Sequence, residues 1–147
     1  MSLLWPMLIA GVIGFGLSQQ PVINAATAQV LNSPFAAAAF SLGLSAMFVF
    51  GVFLATGAPT QPANFAALPW WSVLAEVIGA IFVAGGAILV PLTGTALFFV
   101  CLIAGQLIGA VFADLVGTFG LEPRGVSFQK LAGVALAFAG VALVRWG

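Results

Sequence analysis

A chain of 147 residues that is 63% hydrophobic and only 4% charged lies so far from the roughly 25% charged residues of soluble domains that a water-soluble fold is excluded. Three Lys+Arg balance three Asp+Glu, which leaves no basic surface for nucleic acid. The lack of His and the single cysteine, Cys101, argue against His-assisted nucleophilic catalysis, zinc sites and an intramolecular disulfide. The expectation is a small integral membrane protein, neither an enzyme nor a holder of metal or cofactor, whose partner is the lipid bilayer.

A bilayer core about 30 Å thick takes about 20 apolar residues of helix, so the length suits about five spans. The first is expected over 3–22 or longer. It begins beside Trp5 and Pro6, meets the polar string Ser18-Gln19-Gln20-Pro21, and lacks the basic n-region of a signal peptide, so it reads as a retained helix. Ser33-Pro34 is an N-cap followed by proline at the first helical position, which places the second span over 35–55. The proline-rich stretch from Thr56 to Pro62 is the main extramembrane loop. Pro69-Trp70-Trp71 opens a third span, 70–90, with both indoles at the interfacial belt, and Pro91 closes it. A tight connection leads to a fourth span, 93–115. A loop from Gly117 to Ser127 carries Glu122 and Arg124, and a fifth span, 128–144, finishes at Arg145-Trp146. The apolar runs are continuous and lack the alternation of barrel strands, so the fold class is an all-α integral membrane protein, one five-helix membrane domain.

With an odd number of spans, Arg124 and Lys130 fall on one side of the membrane and Arg145 on the other. So small a bias fixes orientation only feebly under the positive-inside rule, and insertion in both orientations, dual topology, is expected.

Few polar residues lie inside the spans. Glu76 stands about six residues beyond Trp70, roughly 9 Å below the headgroup level, where a charge costs about 2.5–3.5 kcal/mol on insertion scales. No Lys or Arg within the spans neutralises it. It must face a polar cavity, stay protonated at rest or bind a cation; the alternative is a neutral acid held in a helix–helix hydrogen bond. Asp114 is nearer a helix end, where it can serve function or simply pair with Arg124 or Lys130. Gly16, Gln20 and Asn24 recur every four residues as a polar and small stripe that reaches mid-membrane only if the first helix continues past Pro21. Gln106, beside Gly105, is its counterpart in the fourth span. Gly105 and Gly109 form GxxxG, and Gly133, Ala137 and Gly140 lie along one seam of a seven-residue repeat, so these five are the candidate dimer contacts. Cys101 reads as an inert packing residue.

Gln20 with Asn24, Pro69-Trp70-Trp71, Gly105-Gln106-Leu107, then Asp114 with Gly117 and Phe119-Gly120 together resemble the YdcZ-type family of bacterial inner-membrane proteins. That family belongs to the drug/metabolite transporter superfamily. The resemblance runs over nearly the whole chain. It implies five-helix units that pair antiparallel into a ten-helix dimer, as a homodimer or as a heterodimer with a paralogue, in the bacterial inner membrane. Two positions depart from the family's pattern: Asp114-Leu115 replaces an Asp-His pair, so no imidazole role carries over, and Ala75-Glu76 replaces a glycine pair. The string from Leu74 to Gly79 also resembles the glutamate-bearing helix of small multidrug resistance exporters. Independently, transporters are commonly built from two inverted repeats with the site between them, and this chain contains one such unit.

The expected function is therefore a secondary transporter half-unit. It would carry out proton-coupled export or exchange of a small polar or cationic compound by alternating access. Glu76 would bind the proton or cation, Gln20, Asn24 and Gln106 would position the small-molecule substrate, Trp71 would flank it, and Asp114 is a further candidate. The alternatives are a passive ion or small-solute channel formed by an antiparallel dimer, or a non-transporting partner subunit of a paralogous heterodimer.

Overall fold

The computed structural model describes residues 4–57, 65, 67–120 and 122–147. Most of the Thr56–Pro62 loop therefore lies outside the described residues. Five long helices follow one another: α1 (Leu4–Leu31), α2 (Pro34–Thr56), α3 (Ser72–Thr93), α4 (Thr95–Val116) and α5 (Phe128–Trp146). Each is long and apolar enough to cross a membrane, and there is no strand among the described residues. The chain forms two compact units, Met1–Pro91 and Leu92–Gly147.

In the first unit α1 packs on α2. The helix runs straight through Pro21, which is fully buried. A proline inside a helix removes one hydrogen bond, here to the Leu17 carbonyl, but its φ is already helical. α1 stops instead at Asn32, whose φ of 51° is the left-handed conformation that asparagine tolerates better than most residues. The Ser33 N–H then donates to the Ala28 carbonyl at 3.1 Å, the six-to-one bond of a Schellman closure. Ser33 also starts the next helix: its hydroxyl accepts from the Ala36 N–H at 3.1 Å, and Pro34 fills the first helical position, where a missing N–H costs nothing. One tripeptide thus turns the chain and caps both helices. Small side chains, Ala25, Ala37 and Ala38, are buried in this unit.

The third helix differs from expectation at both ends. It begins at Ser72, with Pro69, Trp70 and Trp71 forming the turn before it; the Ser72 N–H and hydroxyl both donate to the Pro69 carbonyl. It also continues through Pro91 to Thr93. Termination falls to Gly94, whose φ of 76° and ψ of 156° lie in a region that essentially only glycine enters.

In the second unit α4 packs on α5. Gly117 (φ 67°) closes α4 in the left-handed conformation, its N–H donating to the Ala113 carbonyl at 2.9 Å. A short 3-10 turn, Thr118–Gly120, follows. Ser127 caps α5, its hydroxyl accepting from the Lys130 N–H at 3.3 Å. Val100 and Gly140 meet across this pair: a Cβ added to Gly140 would lie 3.8 Å from Val100 Cγ2.

Candidate functional site

The continuation of α1 past Pro21 sets the depth of the polar stripe. Twenty-eight residues at ~1.5 Å each make a helix of about 42 Å. If its centre sits at the centre of a core of about 30 Å, Gln20 lies about 4 Å from the midplane and Asn24 about 5 Å inside the far edge. Hydrogen-bonding groups at such depth must be satisfied within protein or by what the protein holds.

Between α1 and α2 these residues line a groove of about 340 Å³. Its α1 wall carries Gln20, Asn24 and Thr27, its α2 wall Ser41 and Ser45, and Ile23, Phe40 and Leu44 supply apolar surface. No charged side chain lines it. Asn24 is only 4% exposed, and its Nδ2 has no hydrogen-bond partner among the described residues. Thr27, by contrast, donates its hydroxyl to the Ile23 carbonyl one turn back, at 2.9 Å. An unpartnered buried amide typically costs about 1–3 kcal/mol, so the unmet donor of Asn24 is the most costly polar feature of this helix pair.

Ser41 and Ser45 escaped the sequence reading. Their signal was present, two serines four apart in an alanine- and phenylalanine-rich span, hence on one helical face.

The other expected site residues are placed as follows. Glu76 is the fifth residue of α3, is exposed, and does not line the groove. Trp71 is half-buried in the turn before α3. In the second unit, Gln106 is exposed on α4. Asp114 Oδ2 accepts a hydrogen bond from Lys130 Nζ at 2.8 Å, an ion pair whose side chains are 37% and 43% exposed. The Asp114 carbonyl also accepts from the Arg124 N–H at 2.6 Å, so this residue ties the connection between α4 and α5 at two points. With Ala113, Glu122 and Arg124 it borders a small cavity of about 150 Å³.

Of the five candidate dimer contacts, Gly140 packs towards Val100 of its own chain, Ala137 is half-buried, and Gly105, Gly109 and Gly133 have open space where a Cβ would stand. Cys101 is exposed on α4.

Five helices long and apolar enough to cross a membrane define a multi-pass membrane protein. The family described as "Putative inner membrane exporter, YdcZ" matches residues 5–143, and the chain belongs to that family. Membership makes it a multi-pass inner membrane protein and sets it with transporters rather than enzymes. No curated protein and no solved structure matches it.

Proposed function

We propose that the chain is one half of a secondary transporter that exports or exchanges a small polar solute by alternating access, coupled to protons. The observation that carries this reading is Asn24, buried at membrane depth in a polar groove with an unmet donor. Family membership supports the transport class.

In this mechanism the groove amides and hydroxyls hold the solute. Glu76, which is exposed on α3, carries the proton. A second chain inserted in the opposite orientation supplies the other half of the cavity, as inverted repeats do in transporters that contain both halves in one chain. Trp71 and Gln106 are further solute contacts in the assembled dimer, and Gly105, Gly109, Gly133 and Ala137 offer close approach between chains. Asp114, paired with Lys130, holds the α4–α5 connection and does not move protons. Alternation then exposes the solute and the protonated Glu76 to one side of the membrane at a time.

The test uses the full-length protein in liposomes that enclose a pH-sensitive dye. Gradients of small amides, amino alcohols and amines are imposed in turn. The expected result is that one class drives proton movement in the wild type and none does so with Glu76→Gln. Solute-driven proton movement that persists unchanged in Glu76→Gln would overturn the carboxylate mechanism.

A further inference from the structure

The lining of the α1–α2 groove specifies more than a polar solute. Gln20 and Asn24 lie one turn apart on α1, and Ser41 and Ser45 one turn apart on α2. Two amides and two hydroxyls therefore converge on the same space, and each amide both donates and accepts. The Nδ2 of Asn24 lacks an acceptor and is itself shielded from solvent, so a ligand reaches it only when the side chain turns into the groove it lines. Phe40 and Leu44 add an apolar surface beside them. No lysine, arginine, aspartate or glutamate lines the groove, so an ion drawn into it would lose hydration without gaining a counter-charge. A volume of about 340 Å³ is at the small end of ligand pockets, which run from about 300 to 1,000 Å³.

We infer that this groove is a subsite for an uncharged solute that bears a carboxamide on a small apolar body. The ligand's carbonyl accepts from the Asn24 amide, its own N–H groups donate to the side-chain oxygens of Gln20 or the serines, and its apolar body lies against Phe40 and Leu44. Recognition is by paired amides, with charge excluded. Cationic and anionic solutes of the same shape are rejected here, and Glu76 takes no part in solute recognition. The inference rests on the reading that this groove meets the transported solute, but it concerns equilibrium binding and is tested without transport.

Three probes of one shape separate the possibilities: benzamide, neutral; benzamidinium, a cation; and benzoate, an anion. Their binding to the full-length protein in lipid nanodiscs is read by saturation-transfer NMR, with empty nanodiscs as the blank. Benzamide should give a saturable signal, and the two ions none. Asn24→Leu keeps the branched shape and removes the amide, and should weaken benzamide binding about tenfold, the effect of about 1.4 kcal/mol. Asn24→Asp keeps the shape and supplies a carboxylate, and should turn the preference to benzamidinium. The Gln20→Met protein gives a second loss variant should Asn24→Leu fail to fold. No saturable benzamide signal in the wild type, equal benzamide binding in wild type and the loss variants, or benzamidinium bound as well as benzamide by the wild type would overturn the inference. Amide-selective binding without solute-driven proton movement would leave the subsite standing and remove the transport reading alone.

Discussion

The pair α1–α2 and the pair α4–α5 are each made of consecutive apolar helices, but they treat their polar side chains differently. In α4–α5 the acidic residue within the span, Asp114, has its counter-ion, Lys130, at 2.8 Å, and its carbonyl is bonded to the following loop. In α1–α2 the most buried polar side chain, Asn24, has a donor with no partner, and a groove lies beside it. A satisfied polar pair at a helix end does structural work: it fixes where α5 starts against α4. An unsatisfied amide within a span lowers stability, and the proposed function assigns it a solute contact in return. Under the proposed function the contrast separates a polar residue that ties the chain together from one that meets a solute, a distinction residue type alone does not make.

Substitutions can sharpen or break this contrast. The largest expected effect is on coupling: Glu76 does not line the groove, so in Glu76→Gln solute-driven proton movement should vanish while benzamide binding in the groove stays at the wild-type level. Loss of both would place Glu76 in the groove after all.

Next comes the packing of α4 on α5. Gly140→Leu drives a branched side chain into the space beside Val100, and overpacking of this kind costs about 1–3 kcal/mol, measurable as an earlier midpoint in denaturant titration of the detergent-solubilised protein. Gly140→Ala should be tolerated, since its Cβ would sit at an ordinary contact distance of 3.8 Å.

Ser33→Ala removes the hydroxyl that caps α2 and should cost about 1 kcal/mol in the same titration. Benzamide binding should weaken with it, because that cap fixes how α2 leaves α1 and therefore the groove they share. The smallest effect is expected from Lys130→Met. A partly exposed ion pair contributes about 0–1 kcal/mol, and neither solute-driven proton movement nor benzamide binding should change. A large loss of coupled movement in this variant would give Asp114 a functional part and erase the contrast between the two helix pairs.

The spans were legible in the sequence because runs of apolar residues have no alternative to membrane helix. Ser33-Pro34 was legible for the same kind of reason, since its chemistry suits one backbone position. Helix ends were harder. Pro91 read as a stop and the end of the first helix was open at Pro21, yet both prolines lie inside helices, because in each case the loss of one hydrogen bond is smaller than the gain from continuing an apolar segment. The real stops are Asn32 and Gly94, set by positive φ, which is a property of the backbone that composition only hints at.

Of the site, the stripe Gln20 and Asn24 could be read from its four-residue spacing, and Glu76 from its isolation. What could not be read was which face of an evenly apolar helix meets its neighbour. In α2 the four-residue spacing puts Ser41 and Ser45 on one face, but nothing in it says that this face is the groove wall opposite Asn24. Likewise the pairing of Asp114 with Lys130 rather than Arg124 depends on how the connection folds.

The central claim is that Asn24 is kept at the expense of stability to meet a solute, and one paired measurement on Asn24→Leu tests it most directly. In a single preparation, the denaturation midpoint and benzamide binding are compared with the wild type. The account predicts a protein more stable by about 1–3 kcal/mol that binds benzamide about tenfold more weakly. A less stable protein that binds benzamide as well as the wild type would show that Asn24 holds the helices together, and would contradict it.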